Sequence, residues 1–444
     1  MSRPLRYGLV VRRVSVGIIT HRLPCAEGRG HIPQYPAHGH RVEGRGSGRY
    51  IQPTLPRALR LSRPLERAIL SGHPWIYRDA LEPFELPPGE IVDVFDKRKR
   101  LLAKGFVDSG PIGVRVLTTH PREQVGQALF AERIASALAL RARCVPPETD
   151  AYRLVHGEGD RLPGVVCDRY GDFAVIKLDG EGVLTFREPL RLAFEPLLTS
   201  LGIRGALLRT SRKQGDASEL LFGDAPPPEV EVRERGMVLI GNLWEGQKTG
   251  LFLDHRESRY RVRGLSRDAR VLNLYGYTGG FSVNAGVGGA REVTTVDVAR
   301  PAIDLAERTF VRNGLEAARH RALALDVPEF LRDAAQRAER YDLIIADPPN
   351  FAPSHAKLET ALEAYAVLHA ACIGLVERGG LYLAASCSSH VRAQDFLESL
   401  REGARRARAV LTILEQTGAP FDHPRMLAFP EGDYLKVTLA RVCA

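Results

Sequence analysis

The chain has 444 residues, of which 44% are hydrophobic and 26% charged, a composition ordinary for a globular protein of roughly two to four domains. No apolar run approaches the roughly 20 residues that a membrane helix needs, which argues against a membrane protein. The cysteines show no CxxC or metal-ligand spacing, which argues against a disulfide framework or a metal site and favours a cytoplasmic setting; they are Cys25, Cys144, Cys167, Cys372, Cys387 and Cys443.

The formal net charge of +9 is concentrated near the N-terminus. Residues 1–50 hold nine arginines, no lysine and two glutamates, so they carry +7 and the rest of the chain only +2. Contacts with nucleic acid must therefore come from local basic patches. We interpret residues 1–51, which lack periodicity, as a disordered basic extension; it is either an RNA-binding tail or, as we favour, the result of a start codon assigned too far upstream.

Two smaller domains are predicted before the main one. Residues 52–125 contain several short β runs around the basic turn Lys97, Arg98, Lys99 and Arg100, a pattern typical of a small β-barrel. The turn could bind phosphates, although a solvated hairpin tip explains the same residues. Residues 126–230 combine two helical patterns with strand-like runs, which predicts a central α+β domain.

Residues 231–444 alternate strands and helices, which predicts a seven-stranded α/β sheet with helices on both faces. Its first unit, Arg270 to Asp297, reads as strand, glycine-containing turn, helix and second strand ending on an acid. An acid in that position can accept hydrogen bonds from both hydroxyls of a ribose. The turn YGYTGGFS lacks a GxGxxG pattern, which favours a phosphate-free nucleoside such as S-adenosylmethionine over a dinucleotide; an ordinary turn is the alternative.

Polar residues follow the predicted strands of this sheet, where ligands of such folds bind. The predicted strand ends carry Asn273, Tyr275, Asp297, Asp326, Asp347 and Cys387.

The strand that ends on Asp347-Pro348-Pro349-Asn350 carries the more specific signal. The prolines stop the strand because they lack N–H groups, so the turn can face the cleft and hold a flipped base. The alternative is a turn that ends the strand and has no role in binding.

Cys387 lies in a polar turn, AASCSSH, after an apolar strand. A thiolate there could add to carbon 6 of a pyrimidine and make carbon 5 nucleophilic toward a sulfonium methyl group. The spacing alone supports a buried thiol equally well. The other five cysteines are predicted to be structural.

Together these motifs resemble the bacterial ribosomal RNA cytosine-5 methyltransferases of the RlmI type. The resemblance runs from about Ala58 to Val442 and rests on GHPWIY, YRLVHGEGDRLPGVVCDRYGD, GLFLDHRESR, NLYGYTGGFSVNA, DPPNF, SCSSH and DHPRMLAFPEGDYLK. It implies an N-terminal PUA-like RNA-binding domain, a linking α+β domain, a C-terminal Rossmann-like S-adenosylmethionine-dependent methyltransferase domain, and 23S rRNA or its large-subunit precursor as partner. A homodimer is left open.

The resemblance also implies roles for individual residues. Cys387 would be the nucleophile, Asp347 the acid that recognises the base beside the cofactor, and Asp297 the acid that binds the ribose. Further cofactor contacts would come from Asn273, Tyr275, Thr278, Gly279, Asp326, Asp254 and Arg256, and RNA contacts from Pro348, Asn350, Phe351 and the basic turn Lys97 to Arg100.

Two departures and two alternatives accompany the resemblance. Asn350 stands where many relatives carry Lys, and no second cysteine follows the double proline. A purine amino-group methyltransferase (N6-adenine or N2-guanine) would also use an acid or amide before Pro-Pro, but it would need an aromatic directly after the prolines and no thiol. A non-catalytic RNA-binding ribosome assembly factor would keep the fold without turnover.

Overall fold

The computed structural model describes residues 57–212 and 215–443; the proposed N-terminal extension, residues 1–51 with Cys25, lies outside this range. The first region forms a five-stranded sheet in the order β1-β3-β4-β5-β2. Alternating buried and part-exposed residues in its strands place one face on a small apolar core. Its elements are β1 Arg57–Arg60, α1 Glu66–Leu70, β2 Trp75–Tyr77, β3 Ile91–Phe95, β4 Leu101–Val107 and β5 Ile112–Thr118.

The central region is a second five-stranded sheet, ordered β10-β9-β8-β7-β6, with helices packed on one face. The other face packs against a separate hairpin, β11 with β12, through a second apolar cluster. The elements are α2 Gln127–Cys144, β6 Ala151–His156, β7 Val165–Tyr170, β8 Phe173–Leu178, α3 Glu181–Leu184, α4 Arg187–Ser200, β9 Gly205–Arg212, β10 Gly215–Gly223, β11 Val230–Glu234 and β12 Met237–Gly241.

The C-terminal region confirms the predicted seven-stranded sheet, with the order β15-β14-β13-β16-β17-β19-β18. The first five strands are parallel, and β19 is antiparallel to both β17 and β18. The chain order reverses between β13 and β16, which is the switch point where doubly wound sheets open a crevice. The strands are β13 Arg270–Leu274, β14 Glu292–Asp297, β15 His320–Ala324, β16 Tyr341–Ala346, β17 Val376–Ser386, β18 Leu411–Thr417 and β19 Lys436–Val442.

Helices cover both faces of this sheet and bury two apolar clusters against it. They are α5 Arg256–Leu265, α6 Gly280–Val287, α7 Arg300–Arg312, α8 Val327–Gln336, α9 Leu358–Leu375 and α10 Ala393–Arg406. Among the described residues, one helical stretch, His355–Leu375, is long and apolar enough to cross a membrane by length and composition. Its side chains Tyr365 and Cys372 are fully buried in the core between the sheet and α10.

The segment between β18 and β19, residues 418–435, joins the three regions. Phe429 packs edge-on against Trp75 of β2, with 4.6 Å between ring centroids. The Trp75 indole Nε1 in turn donates to Glu158 of the central region at 2.8 Å. Asp422 accepts hydrogen bonds from the central region as well, so a single segment ties the first sheet and the central sheet to the edge of the large sheet.

Candidate active site

A cavity of about 260 Å³ opens at the carboxyl edge of the large sheet, beyond β14, β13, β16 and β17. These four strands are neighbours, so the residues that follow them converge as expected for a parallel sheet. Aromatic and aliphatic side chains form much of the lining and a few polar groups interrupt it. The polar and proline lining residues include Gln247, Lys248, His255, Arg259, Tyr275, Tyr277, Thr278, Asp297, Asp347, Pro348, Pro349 and Cys387.

The loop after β13 has an unusual backbone that shapes one half of the cavity. Tyr275, Tyr277 and Gly279 all adopt positive φ angles, of 56°, 45° and 78°. A Cβ on Gly279 would lie 2.8 Å from the Cβ of Ala306, so only glycine lets α6 begin against α7. Positive φ is rare for tyrosine, and such backbone strain is concentrated at functional sites.

Asp297, the last residue of β14, holds this loop in place. Its two carboxylate oxygens accept hydrogen bonds from the backbone N–H groups of Tyr277 and Ala299, each at 2.9 Å. A carboxylate has about four acceptor positions, so two remain for a ligand in the cavity. Phe252 and Phe281 supply apolar walls nearby. A carboxylate between apolar walls suits a ribose and an adenine, so the residues present fit S-adenosylmethionine.

Asp347 follows β16 and faces the same cavity. Its Oδ2 lies 3.1 Å from Nε2 of His255, which is buried at the start of α5. Pro348 and Pro349 also line the cavity, as the strand-ending turn predicts. The His255 ring packs edge-on against Phe281, with 5.5 Å between the ring centroids, so Asp347 is held by a fixed partner rather than by solvent.

Cys387 is the first residue after β17 and lies on the cavity wall, partly exposed. Burial raises the pKa of its thiol, and the negative charge of Asp347 raises it further, while Lys248 lowers it. The flanking serines fix the turn. Ser386 and Ser388 are both within hydrogen-bond distance of the Tyr365 hydroxyl, at 2.9 and 3.2 Å.

Asn350 and Phe351, predicted to contact RNA, support the turn from outside the cavity lining. The Asn350 Oδ1 accepts hydrogen bonds from the Ser388 hydroxyl at 2.6 Å and the Ala352 N–H at 2.9 Å. The Phe351 ring packs against Tyr365 at 4.8 Å between centroids. Asn350 thus links the Pro-Pro turn to the cysteine turn, and the partly buried Phe351 packs against the core.

Several predicted cofactor contacts also lie outside the cavity lining, and each has another partner. The Asn273 side chain is buried and donates to Ser282, and Gly279 packs against Ala306. Strand β15 ends at Ala324, earlier than predicted, and Asp326 caps helix α8 by accepting from the Glu329 N–H at 3.1 Å.

In the segment before the large sheet, Asp254 and Arg256, which were predicted to contact the cofactor, do not line the cavity. Arg256 forms a two-pronged ion pair with Asp422, at 2.9 Å for each contact, and is 1% exposed. Asp254 is also buried; its Oδ2 accepts from Lys248 Nζ and the Tyr434 hydroxyl, both at 2.9 Å. The residue between them, His255, is the one that lines the cavity. Arg256 therefore belongs to a structural ion pair, and Asp254 acts on the cavity through Lys248.

Sequence reasoning missed Lys248 and His255, together with the other polar lining residues Gln247, Arg259 and Tyr277. His255 stood inside the motif GLFLDHRESR, but nothing in the spacing distinguished it from its neighbours. Lys248 has a positive φ of 54°, and its Nζ lies over the Phe252 ring at 4.4 Å from the centroid. Its sole sequence signal was its place in a glycine-flanked loop just upstream of that motif.

The basic turn of the first region lies between β3 and β4 and is exposed at all four positions. Arg100 is paired with Asp96 at 2.6 Å, and Lys99 has a positive φ of 61°. None of the four lines the cavity, so any contact they make with RNA is separate from it.

Among the other cysteines, Cys167 and Cys372 are fully buried, and burial raises the pKa of both thiols. Cys144 and Cys443 are partly exposed but lie away from the cavity. Within residues 57–212 and 215–443, no group of three or more His, Cys, Asp or Glu side chains could hold a metal ion.

Two family models match the chain. The model for S-adenosylmethionine-dependent methyltransferases matches residues 185–433, and the model for the PUA-like domain matches residues 59–119. The first match covers the cavity completely and also reaches into the central region. The second covers most of the first sheet and its basic turn.

Curated relatives match over nearly their whole length. A ribosomal RNA large subunit methyltransferase from Deinococcus radiodurans is 36% identical and covers 86% of this chain and 97% of its own. Ribosomal RNA large subunit methyltransferase I from Klebsiella pneumoniae is 34% identical over 87% of this chain and 98% of its own.

A solved structure shares the fold. It is a candidate methyltransferase complexed with S-adenosylhomocysteine, with a TM-score of 0.79 at 24% identity over 87% of this chain and 100% of that chain. The cavity, the matching family model and the extent of the curated matches agree. The chain therefore belongs to the S-adenosylmethionine-dependent methyltransferase family, in the group of the large-subunit ribosomal RNA methyltransferases.

Proposed function

We propose that this enzyme methylates carbon 5 of a cytosine in large-subunit ribosomal RNA, with Cys387 as the nucleophile. The observation that carries the proposal is the meeting of Cys387, Asp347 and Asp297 in one cavity, at the ends of neighbouring strands. The curated relatives, which are named as large-subunit ribosomal RNA methyltransferases, support the choice of RNA.

The cofactor half of the cavity lies around Asp297. S-adenosylmethionine, when bound, supplies an electrophilic methyl group on a sulfonium. Asp297 has two acceptor positions free for the ribose hydroxyls, because the Tyr277 and Ala299 N–H groups occupy the others. Thr278 lines the cavity on the same loop, and Phe252 and Phe281 exclude water from it.

The target base would lie between the Pro-Pro turn and Cys387. Asp347 is placed to hold a proton on ring nitrogen 3 of cytosine, where negative charge develops during addition. His255 fixes the carboxyl group of Asp347 through Nε2. Pro348 and Pro349 offer flat apolar contact to the ring without competing N–H donors.

The Cys387 thiolate forms a bond to carbon 6, and the electron pair of the 5,6 double bond becomes available at carbon 5. Carbon 5 would then bond to the methyl group as the methyl–sulfur bond breaks and its electron pair stays on the sulfur, which leaves as a neutral thioether. A base removes the carbon-5 proton, the double bond re-forms, and the carbon–sulfur bond breaks to release the thiolate. His390, which follows in the same turn, is exposed and does not line the cavity.

The position of Phe351 argues against the amino-methyltransferase alternative. That chemistry needs an aromatic ring presented to the base beside the acid. Phe351 instead packs against Tyr365 and the core. A partly exposed thiol on the cavity wall has no function in such an enzyme, whereas cytosine-5 chemistry requires it.

The remaining regions would bring the RNA to the cavity. We assign residues 52–125 to RNA binding, 126–230 to linking and 231–444 to methyl transfer. Lys97, Arg98 and Lys99 are exposed and suited to phosphates, and Arg100 less so because it is paired with Asp96. The cytoplasm, where bacterial ribosomes are assembled, is the corresponding location.

A suicide substrate tests the covalent step. Large-subunit RNA transcribed with 5-fluorocytosine lacks the carbon-5 proton, so the adduct cannot resolve after methyl transfer. We expect a stable protein–RNA complex on denaturing gels that needs both S-adenosylmethionine and Cys387, and that forms normally with Cys443→Ser as the matched thiol control. Methylation of normal RNA without any adduct would refute the thiol mechanism.

A further inference from the structure

Lys436, the first residue of β19, is a buried cation next to the cysteine turn. Strand pairing places it opposite Ser386, the last residue of β17. Its Nζ donates to the backbone oxygens of Ser388 at 2.6 Å and Tyr434 at 2.8 Å. The side chain is 6% exposed.

The environment of this ammonium group is unusual because its hydrogen bonds go to neutral carbonyl groups. Within the described part of the chain, no carboxylate forms an ion pair with it. The nearby Asp433 pairs with Arg425. Burying a lysine without a counter-ion costs free energy, so such a residue is retained where its charge has a use. Burial lowers the pKa of Lys436 to about 8, opposed first by the charge of Cys387 and then by Asp433.

Most of the groups around Cys387 disfavour its thiolate form, so a nearby cation would help to stabilise that form. Asp347 and Asp254 both oppose its ionisation, and Tyr365 packs behind the turn. Lys248 favours ionisation, but its Nζ is already bonded to Asp254. His255 is paired with Asp347. Among the described residues that contact the cysteine turn, Lys436 is a cation bonded to the Ser388 carbonyl and not paired with a carboxylate.

We propose that Lys436 is a positioning residue that clamps the turn through the Ser388 carbonyl and stabilises the Cys387 thiolate with its charge. The inference rests on the proposed role of Cys387 as nucleophile. During addition the negative charge leaves the sulfur for the base, and when the carbon–sulfur bond breaks it returns. An ammonium fixed on the carbonyl of Ser388, the residue after Cys387, favours the thiolate at both ends of the cycle.

The test measures the thiol without any RNA. Alkylation of Cys387 by iodoacetamide is followed by peptide mass spectrometry across pH for wild type, Lys436→Met, Lys436→Gln and Lys436→Arg, with Lys357→Met as an exposed-lysine control. An opposite charge at close range shifts a pKa by about one unit or more. We expect the pH midpoint of Cys387 alkylation to rise by about one pH unit in the Met and Gln variants. It should stay near the wild-type value in the Arg variant and in the control. Cys144 in the same digests is the reference thiol.

A reciprocal measurement covers the case in which the lysine variants do not fold. Coupling between two titrating groups is mutual, so removal of the thiol in Cys387→Ala should lower the labelling midpoint of Lys436 with acetic anhydride. Unchanged midpoints in either experiment would overturn the inference. A shifted thiol in an enzyme that makes no adduct with 5-fluorocytosine RNA would instead refute the proposed function alone.

Discussion

Two groups of acids, one at the cavity and one at the junction of the three regions, differ in their partners. At the cavity, Asp297 keeps two acceptor positions free, and Asp347 is held by the His255 ring. At the junction of the three regions, Asp422 is fully buried, and both its oxygens accept from Arg256 while the Arg153 N–H and the His423 ring take the rest.

The difference teaches how to distinguish a site from a structural ion cluster. The junction is closed, because Arg141 also pairs with Asp160 twice at 2.6 Å and donates to the Asp422 carbonyl at 2.7 Å. The carboxylates at the cavity keep hydrogen-bond acceptor positions that no protein group fills, and these carboxylates line the cavity. Free acceptor positions at a cavity wall, rather than burial or charge alone, identify the residues that meet a ligand.

The largest expected effect on the cavity side, short of removing the thiol, comes from Asp347→Asn. The change removes the acid that holds the proton on the base, so we expect the single-turnover methylation rate to fall by about 10²–10³-fold. Binding of S-adenosylmethionine, measured by calorimetry, should change little. Asp342→Asn, at the other end of the same strand, is the control; an equal loss there would show that the effect is structural.

On the junction side, Arg256→Met leaves Asp422 buried without its main partner. Breaking such a pair costs about 3–5 kcal/mol, so the thermal unfolding midpoint should fall by several degrees or more. Arg261→Met, on the exposed face of α5, should cost less than about 1 kcal/mol. The comparison fails if Arg256→Met keeps its stability and loses cofactor affinity instead, since Arg256 would then belong to the cavity.

Asp297→Ala and Asp326→Ala compare two acids at or just beyond the ends of the neighbouring strands β14 and β15, one in the cavity lining and one outside it. Hydrogen bonds to a charged group are worth about 1.5–3 kcal/mol, so the loss of Asp297 should weaken S-adenosylmethionine binding about 10–100-fold. Asp326 caps a helix, and its loss should cost about 1 kcal/mol of stability with little change in cofactor affinity. Equal losses of affinity would return Asp326 to the cofactor contacts that the family resemblance implies.

The smallest effect is expected at the basic turn. Lys97→Gln with Lys99→Gln removes two exposed charges, which should weaken RNA binding and reduce the slope of log affinity against log salt by about one to two. Arg100→Gln should change the slope less, since Asp96 already pairs with Arg100. A slope that is unchanged in the double variant would mean that this turn does not contact phosphates.

The sequence predicted the sheet and much of the site because strand periodicity and turn chemistry are local. Asp297, Asp347 and Cys387 follow apolar strands directly, so their convergence needed only the parallel order. Asp326 was read as a strand end because a helix cap two residues beyond a strand looks the same in sequence. The ion pair of Arg256 was not predicted, because its partner Asp422 lies 166 residues away in the chain. Lys248 and His255 reach the cavity through tertiary packing, and Lys436 reaches the cysteine turn in the same way. Sequence spacing does not reveal such contacts.

The central claim is that Cys387 attacks the base. Its most direct test is single-turnover methylation of deproteinised large-subunit RNA by wild type and Cys387→Ala, read by bisulfite sequencing, with S-adenosylmethionine binding measured in parallel. We predict that wild type marks one cytosine and that the variant binds the cofactor normally but is slower by more than about 10³-fold. A variant that still methylates would show Cys387 to be a packing thiol and would favour amino-group transfer.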